Sequence, residues 1–189
     1  MNTILEWLEG GDLRSDGAAS QAAEAVLKKE QLIDDLAEGL MHPGDVVRGR
    51  TMDALEKIAC SKPELVLKYL PQILDLLKKD QVMMVRMHAA MILGHLAVFA
   101  EIIPQVTPVL LYLLDDPSTF TKSWAIVSLC IIARKYPDYH QEILTKVTEL
   151  RDDSSAAIRT RVRNALEILM NDRLPFPKGW IKSEKLKTL

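Results

Sequence analysis

At 189 residues and 21.3 kDa, the chain fits one domain whose core needs no disulfide or metal staple. Hydrophobic residues at 48% and charged residues at 26% exclude wholesale disorder, and 5% aromatics with eight glycines and nine prolines favour helices over a large β domain. A formal charge of −2 excludes polyanion binding by bulk electrostatics, but the charge is uneven. Arg173, Lys178, Lys182, Lys185 and Lys187 against Asp172 and Glu184 give residues 172–189 a charge of +3, and the rest carries −5.

The chain begins with Ile4, Leu5 and Leu8 at helical spacing, then an Ala-rich run over 17–29 whose Ala19, Ala22, Ala23, Val26 and Leu27 share one side. These predict a degenerate capping hairpin over 1–29. The first residues are acidic with a short apolar stretch, unlike a secretory signal. From residue 30, two kinds of amphipathic helix alternate. The first carries Leu32, Ile33, Leu36 and Leu40; then Leu70, Ile73, Leu74 and Leu77; then Val109, Leu110, Leu113 and Leu114; then Ile143, Leu144, Val147 and Leu150. The second opens on Val47-Arg48, Val85-Arg86, Thr121-Lys122 and Ile158-Arg159, with apolar residues seven and ten positions after each base. The bases are 38, 36 and 37 residues apart, and the closing leucines Leu40, Leu77, Leu114 and Leu150 are 37, 37 and 36 apart. Two registers with one period predict four repeats over 30–171, approximately 30–62, 63–103, 104–137 and 138–171. Asp80, Asp116 and Asp153 fall between the helices of a repeat, where Asp is a good N-cap, and Pro63, Pro104 and Pro137 fall between repeats. Pro175 and Pro177 end the helical pattern, so 172–189 reads as a basic, extended tail with Phe176 and Trp180.

Pro71 and Pro108 at the opening of the first helix, the leucine pairs that close it, the inter-helix Asp and the Val-Arg that opens the second helix together resemble the HEAT repeat family. The period is closer to the short HEAT-like units of the phycobilisome-lyase repeat proteins. The resemblance covers about residues 30–171. It implies an all-α, right-handed α-α superhelix: a HEAT-like (armadillo-like helical) solenoid of about four to five helical-hairpin repeats, with the second helices lining a concave side. It also implies a non-enzymatic protein-protein interaction module, a scaffold or adaptor.

An Asp stands six residues before three of the four bases. Arg48, Asp80, Arg86, Asp116, Lys122, Asp153 and Arg159 are therefore expected to form a structural ladder of ion pairs and hydrogen bonds between repeats. With each base as origin and about 100° per residue, offsets 2, 5 and 9 lie opposite the core and form the expected concave wall. They are Arg50, Asp53 and Lys57, a solvated face; His88, Met91 and His95; Trp124, Val127 and Ile131; and Arg161, Asn164 and Ile168. The middle of this wall is apolar, as contact surfaces are. The partner-binding residues expected are Arg50, His88, Met91, His95, Trp124, Val127, Ile131 and Arg161, with Trp124 the anchor and another protein or peptide segment the partner. Two other covers compete for the wall: the chain's own tail through Leu174, Phe176, Trp180 and Ile181, and tight curvature of the stack.

His88 and His95 lie about 10 Å apart along one helix, too far to share a zinc. Cys60 and Cys130 lack CxxC spacing and read as buried free thiols in a reducing compartment. No catalytic, metal or cofactor residue is expected, and the setting expected is cytoplasmic, away from membranes. The second reading is a nucleic-acid binder using the arginine ladder and the basic tail. The third is an enzyme, either a HEAT-like DNA glycosylase using Asp53 and Trp124 or a bilin-lyase type.

Overall fold

A computed structural model describes residues 3–189, and every regular element among them is helical. The chain divides into two compact units, Met1–Ile92 and Leu93–Leu189.

The first unit contains α1 (Thr3–Glu6), α2 (Ala19–Lys28), α3 (Leu32–Ala37), α4 (Asp45–Ser61), α5 (Pro63–Leu67), α6 (Leu70–Lys79) and most of α7 (Met83–His95). Helix α6 shows the local logic. Pro71 sits in the first turn, where its missing N–H costs no hydrogen bond. Leu70, Ile73, Leu74 and Leu77 then form one buried stripe, and Lys78 and Lys79 complement the dipole in the last turn. Helix α2 packs on α4 through Ala19, Ala22, Ala23 and Val26, whose small side chains allow close approach. A 3-10 turn, Glu38–Met41, continues α3 and presses on α4. A Cβ at Gly39 would stand 2.1 Å from Thr51 Oγ1, so only glycine fits there. Helix α4 is enclosed on most sides, with Arg50, Asp53 and Glu56 buried beside Met52, Leu55 and Ile58.

The second unit contains the end of α7, then α8 (Ile103–Tyr112), α9 (Thr119–Lys135), α10 (His140–Glu149), α11 (Ala156–Met170) and the tail. Helix α9 is its centre and packs against α8, α10 and α11. Nine consecutive residues of α9, Ala125 to Ala133, are buried, which explains why its sequence lacks a clean amphipathic stripe.

Two details of punctuation differ from the sequence expectation. Pro104 lies in the first turn of α8, while Pro108 lies inside the helix. Asp116 and Asp153 are not the caps of α9 and α11. Each accepts the N–H of a serine two residues on, Ser118 or Ser155, at 2.8 Å, and that serine's hydroxyl caps the helix. In addition, α5, the turn Ala100–Ile102 and the turn Pro137–Tyr139 stand before α6, α8 and α10. A short third element thus precedes three of the four helix pairs.

Candidate protein-interaction site

In the first unit, the expected open wall is closed. Arg50 is 4% exposed because residues 9–18 turn across it. Its Nη1 donates to the carbonyl oxygens of Leu8, Glu9 and Gly10 at 2.9, 3.2 and 2.7 Å. Its Nη2 donates to that of Asp12 at 3.1 Å, and its Nε to that of Ser15 at 3.3 Å. The loop passes this close because Gly17 has φ of +52° and no side chain: a Cβ there would fall 2.5 Å from Arg50 Cζ. Arg50 therefore serves as a clamp on the chain's own loop, which corrects its assignment to an accessible partner surface. An irregular loop leaves carbonyls unpaired, and a planar guanidinium with five donors matches several of them at once.

His88 and Met91, on α7 in the same unit, are buried as well and do not form an open surface. His88 belongs to a cluster with Asp53 and Glu56, all three buried, whose ligand atoms lie within 4.8 Å of one another. His88 Nδ1 is 3.6 Å from Asp53 Oδ1, and Lys57 Nζ pairs with the same Asp53 oxygen. The Asp53 face expected to be solvated is thus part of the interior. The donor types suit a divalent cation, but bonds of about 2.0–2.2 Å draw ligands closer together than this. The Lys57 ammonium already supplies a positive charge at Asp53.

In the second unit, His95, Val127 and Ile131 are buried, which also removes them from the accessible set. Trp124 and Arg161 remain half-buried and border a groove of about 720 Å³, lined among others by Thr160, Asn164, Lys178 and Trp180. Trp180 belongs to the tail and is itself buried, with Ser183 and Leu186. The Arg161 guanidinium lies 4.9 Å from the Trp180 ring and 5.9 Å from the Trp124 ring, and Lys182 Nζ lies 5.1 Å from Trp124. Burial pulls the Arg161 pKa below its ordinary value. Phe176 packs tilted on Trp180 at 6.4 Å, whereas Leu174 stays exposed.

Sequence reasoning missed Arg134, which secures this tail. Its Nη1 donates to the oxygens of Leu189 at 2.9 Å and Leu174 at 3.2 Å, its Nη2 to that of Ile168 at 2.9 Å, and its Cζ lies 5.0 Å over Phe176. A base in the last turn of α9 reads from sequence only as a dipole partner.

The ladder residues meet protein acceptors. Arg48 Nε donates to Asp80 Oδ2 at 2.7 Å, and Nη1 to the carbonyls of His42 and Pro43 at 2.9 and 3.0 Å. The Asp80 hydrogen bond raises the Arg48 pKa. Lys122 Nζ donates to Asp153 Oδ2 at 2.7 Å. Burial pushes the Asp153 carboxyl up, but the hydrogen bonds from Lys122 and Ser155 outweigh it and hold the pKa below its ordinary value. Arg159 donates to the carbonyls of Asp153 and Ser154 at 2.7 and 3.0 Å. Arg86 is half-buried and Asp116 buried. Bases engaged in this way offer little to a phosphate backbone. Burial pushes the Cys130 thiol up to about 12, so it is no nucleophile at neutral pH, and Cys60 is half-buried rather than buried.

Paired helices with a short leading turn, repeated along the chain, define an α-solenoid of armadillo-like helical repeats. No family model and no curated protein matches the chain. Solved structures do. A designed armadillo repeat protein is 17% identical, with a TM-score of 0.64 over 99% of this chain and 95% of its own. An engineered protein from the Northeast Structural Genomics Consortium is 18% identical, with a TM-score of 0.63 over 89% of this chain and 78% of its own. A second designed armadillo repeat protein, in complex with the peptide (KR)4, is 18% identical, with a TM-score of 0.60 over 89% of this chain and 81% of its own. These likenesses carry the fold, and the turn before three of the four helix pairs fits units of three helices as well as two. No helix among the described residues is long and apolar enough to cross a membrane.

Proposed function

We propose that the chain is a non-enzymatic binding module of HEAT-like build that holds an extended segment of another protein on its second unit, and so acts as a scaffold or adaptor in the cytoplasm. One observation carries this reading: residues 172–189, which form a run of turns with the 3-10 turn Glu184–Leu186 in place of the extended tail expected from sequence, already dock on that unit as an irregular segment. The segment is gripped at backbone oxygens by Arg134 and anchored by one buried aromatic, Trp180. Main-chain hydrogen bonds give affinity with little demand on sequence, and a buried aromatic supplies a hot spot. The designed neighbour that holds a (KR)4 peptide supports a segment as the kind of partner. Of the eight residues expected to bind, Trp124 and Arg161 are the two retained in this proposal.

The test is to end the chain after Arg173 and titrate it calorimetrically with a synthetic peptide of residues 174–189. Saturable one-to-one binding is expected, and Trp124→Ala should weaken it by about 30-fold, the scale of an aromatic hot spot, at unchanged helicity. An absence of binding in trans, or a Trp124→Ala variant that binds as well as the parent, overturns the reading.

A further inference from the structure

The groove beside Trp124 has a composition that its own tail does not explain. The chain as a whole carries −2, yet the residues lining the groove include Arg161 and Lys178 and no carboxylate, and Lys182 stands over the neighbouring Trp124 ring. A groove whose charged lining residues, Arg161 and Lys178, are both cations suits an anionic ligand.

Arg161 makes the point most directly. Arg50 and Arg134 each meet several backbone oxygens. The Arg161 guanidinium instead lies against two indole rings, and no carbonyl or carboxylate accepts from it among the described residues. A guanidinium that meets rings and no acceptor keeps its N–H donors available, and these can hold a carboxylate through two parallel hydrogen bonds. Thr160 and Asn164 line the same groove and add a hydroxyl and an amide at its margin. About 720 Å³ is room for a few residues of a peptide.

We propose that the groove formed by Trp124, Arg161 and the tail residues Lys178 and Trp180 is a recognition site for an acidic peptide segment, with an Asp or Glu carboxylate of the partner docked on Arg161. The proposal rests on the segment-binding reading above and names the chemistry of the segment. It sets this chain apart from the designed neighbour, which holds a peptide of the opposite charge. The tail then has two parts in the site: Pro177 and Trp180 build one wall, and Lys178 supplies charge.

The test uses the full chain and three fluorescein-labelled probes: an octapeptide of alternating Asp and Glu, the octapeptide (KR)4, and an oligothymidine of eight nucleotides. Fluorescence anisotropy should show saturable binding of the acidic peptide. Arg161→Gln should weaken it by about tenfold or more, and Arg161→Lys, which keeps the charge and loses the fork, by less. Equal or tighter binding of (KR)4, tighter binding of the oligonucleotide, no binding of the acidic peptide, or an Arg161→Gln variant with unchanged affinity each overturns the proposal. Circular dichroism of the variants checks that helicity is kept, and Lys178→Gln, on the exposed tail, should weaken the acidic probe independently of any change in the helices. If the tail peptide docks in trans while the acidic probe fails, only the acidic specificity falls. If neither binds, the segment-binding reading falls with it.

Discussion

Replacing Arg50 with alanine should unfold one corner of the first unit. The side chain is 4% exposed and engages five carbonyl oxygens between Leu8 and Ser15. A hydrogen bond to a charged group contributes about 1.5–3 kcal/mol, so a plain sum over five would reach roughly 7–15 kcal/mol. That sum overstates the loss. Residues 9–18 are exposed on their outer side, and once the loop lifts, water satisfies its carbonyls. The cost therefore saturates at what docking the loop contributes. That comprises the burial of Leu8, fully excluded from solvent and worth about 2–3 kcal/mol, and a net of about 1 kcal/mol from bonds exchanged with water. The expected loss is about 3–4 kcal/mol, in the range seen when a buried polar network is broken. Arg50→Lys keeps the charge with three donors in place of five and should recover about half.

Urea unfolding followed by circular dichroism gives the stability change, and amide exchange over residues 8–17 gives its location. An Arg50→Ala variant that loses less than about 1 kcal/mol with unchanged exchange in that stretch would falsify the clamp. The first-glance alternative, a solvent-facing Arg50 that meets a partner, predicts that benign outcome together with lost binding.

Gly17→Ala should show the same exchange signature, since its positive φ costs a side-chain-bearing residue about 1–2 kcal/mol and its Cβ would displace the Arg50 guanidinium. Arg134→Ala should free the tail: about 3 kcal/mol of lost carbonyl contacts raises its opening roughly 100-fold. This is visible as a red-shifted Trp180 emission and faster proteolysis after Lys178, and an unchanged emission maximum would argue that Trp180 alone holds it. Ser183 is buried with no hydrogen-bond partner for its hydroxyl among the described residues, so Ser183→Ala should be neutral or stabilising by up to about 1 kcal/mol in thermal unfolding, and a clear loss would reveal an acceptor. Asp153→Asn should cost about 1.5–3 kcal/mol at pH 7, since Asn keeps the turn to Ser155 and loses the charge opposite Lys122. The parent carboxyl lies below its ordinary value, so its contribution is present above the unfolded pKa of about 3.9 and fades as pH falls through the folded value. Parent and variant should therefore converge in acid unfolding only once pH has fallen through that lowered folded value, and a gap that persists beyond it would point to packing instead.

The repeat was legible because it rests on periodicity. Leu70, Ile73, Leu74 and Leu77 are spaced for one helix face whatever lies around them, and they are buried as the spacing says. The Arg48–Asp80 and Lys122–Asp153 contacts follow from residue types that recur with the period. The wall was not legible in the same way. A helical wheel says which residues lie opposite the core, and it has no information on whether something else occupies that side. Here Arg50 and Asp53 face their own interior, and residues 9–18 carry no hydrophobic period that would announce them as a cover. Arg134 was hidden for a related reason: a base at a helix end has an ordinary explanation, and its acceptors lie 34 to 55 residues further along. The glycines held a usable signal. Gly10, Gly11 and Gly17 cluster before an Ala-rich helix, and such a cluster marks a loop that passes close to something.

Three arginines show how one residue type takes different roles in this fold. Arg50 and Arg134 each face an irregular stretch of the chain, and irregular backbone is where unpaired carbonyls are found. Their donors are used internally, and the result is order in two irregular segments. Arg161 faces the tail as well, yet it meets the tail's indole in place of its backbone, and among the described residues its donors are left over. The difference follows from where Trp180 sits. A ring that covers the face of a guanidinium fixes its plane and cannot accept from its edge. Of the three arginines, Arg161 is therefore the one placed to act on another molecule, and the acceptor it lacks is the feature by which a partner would be chosen.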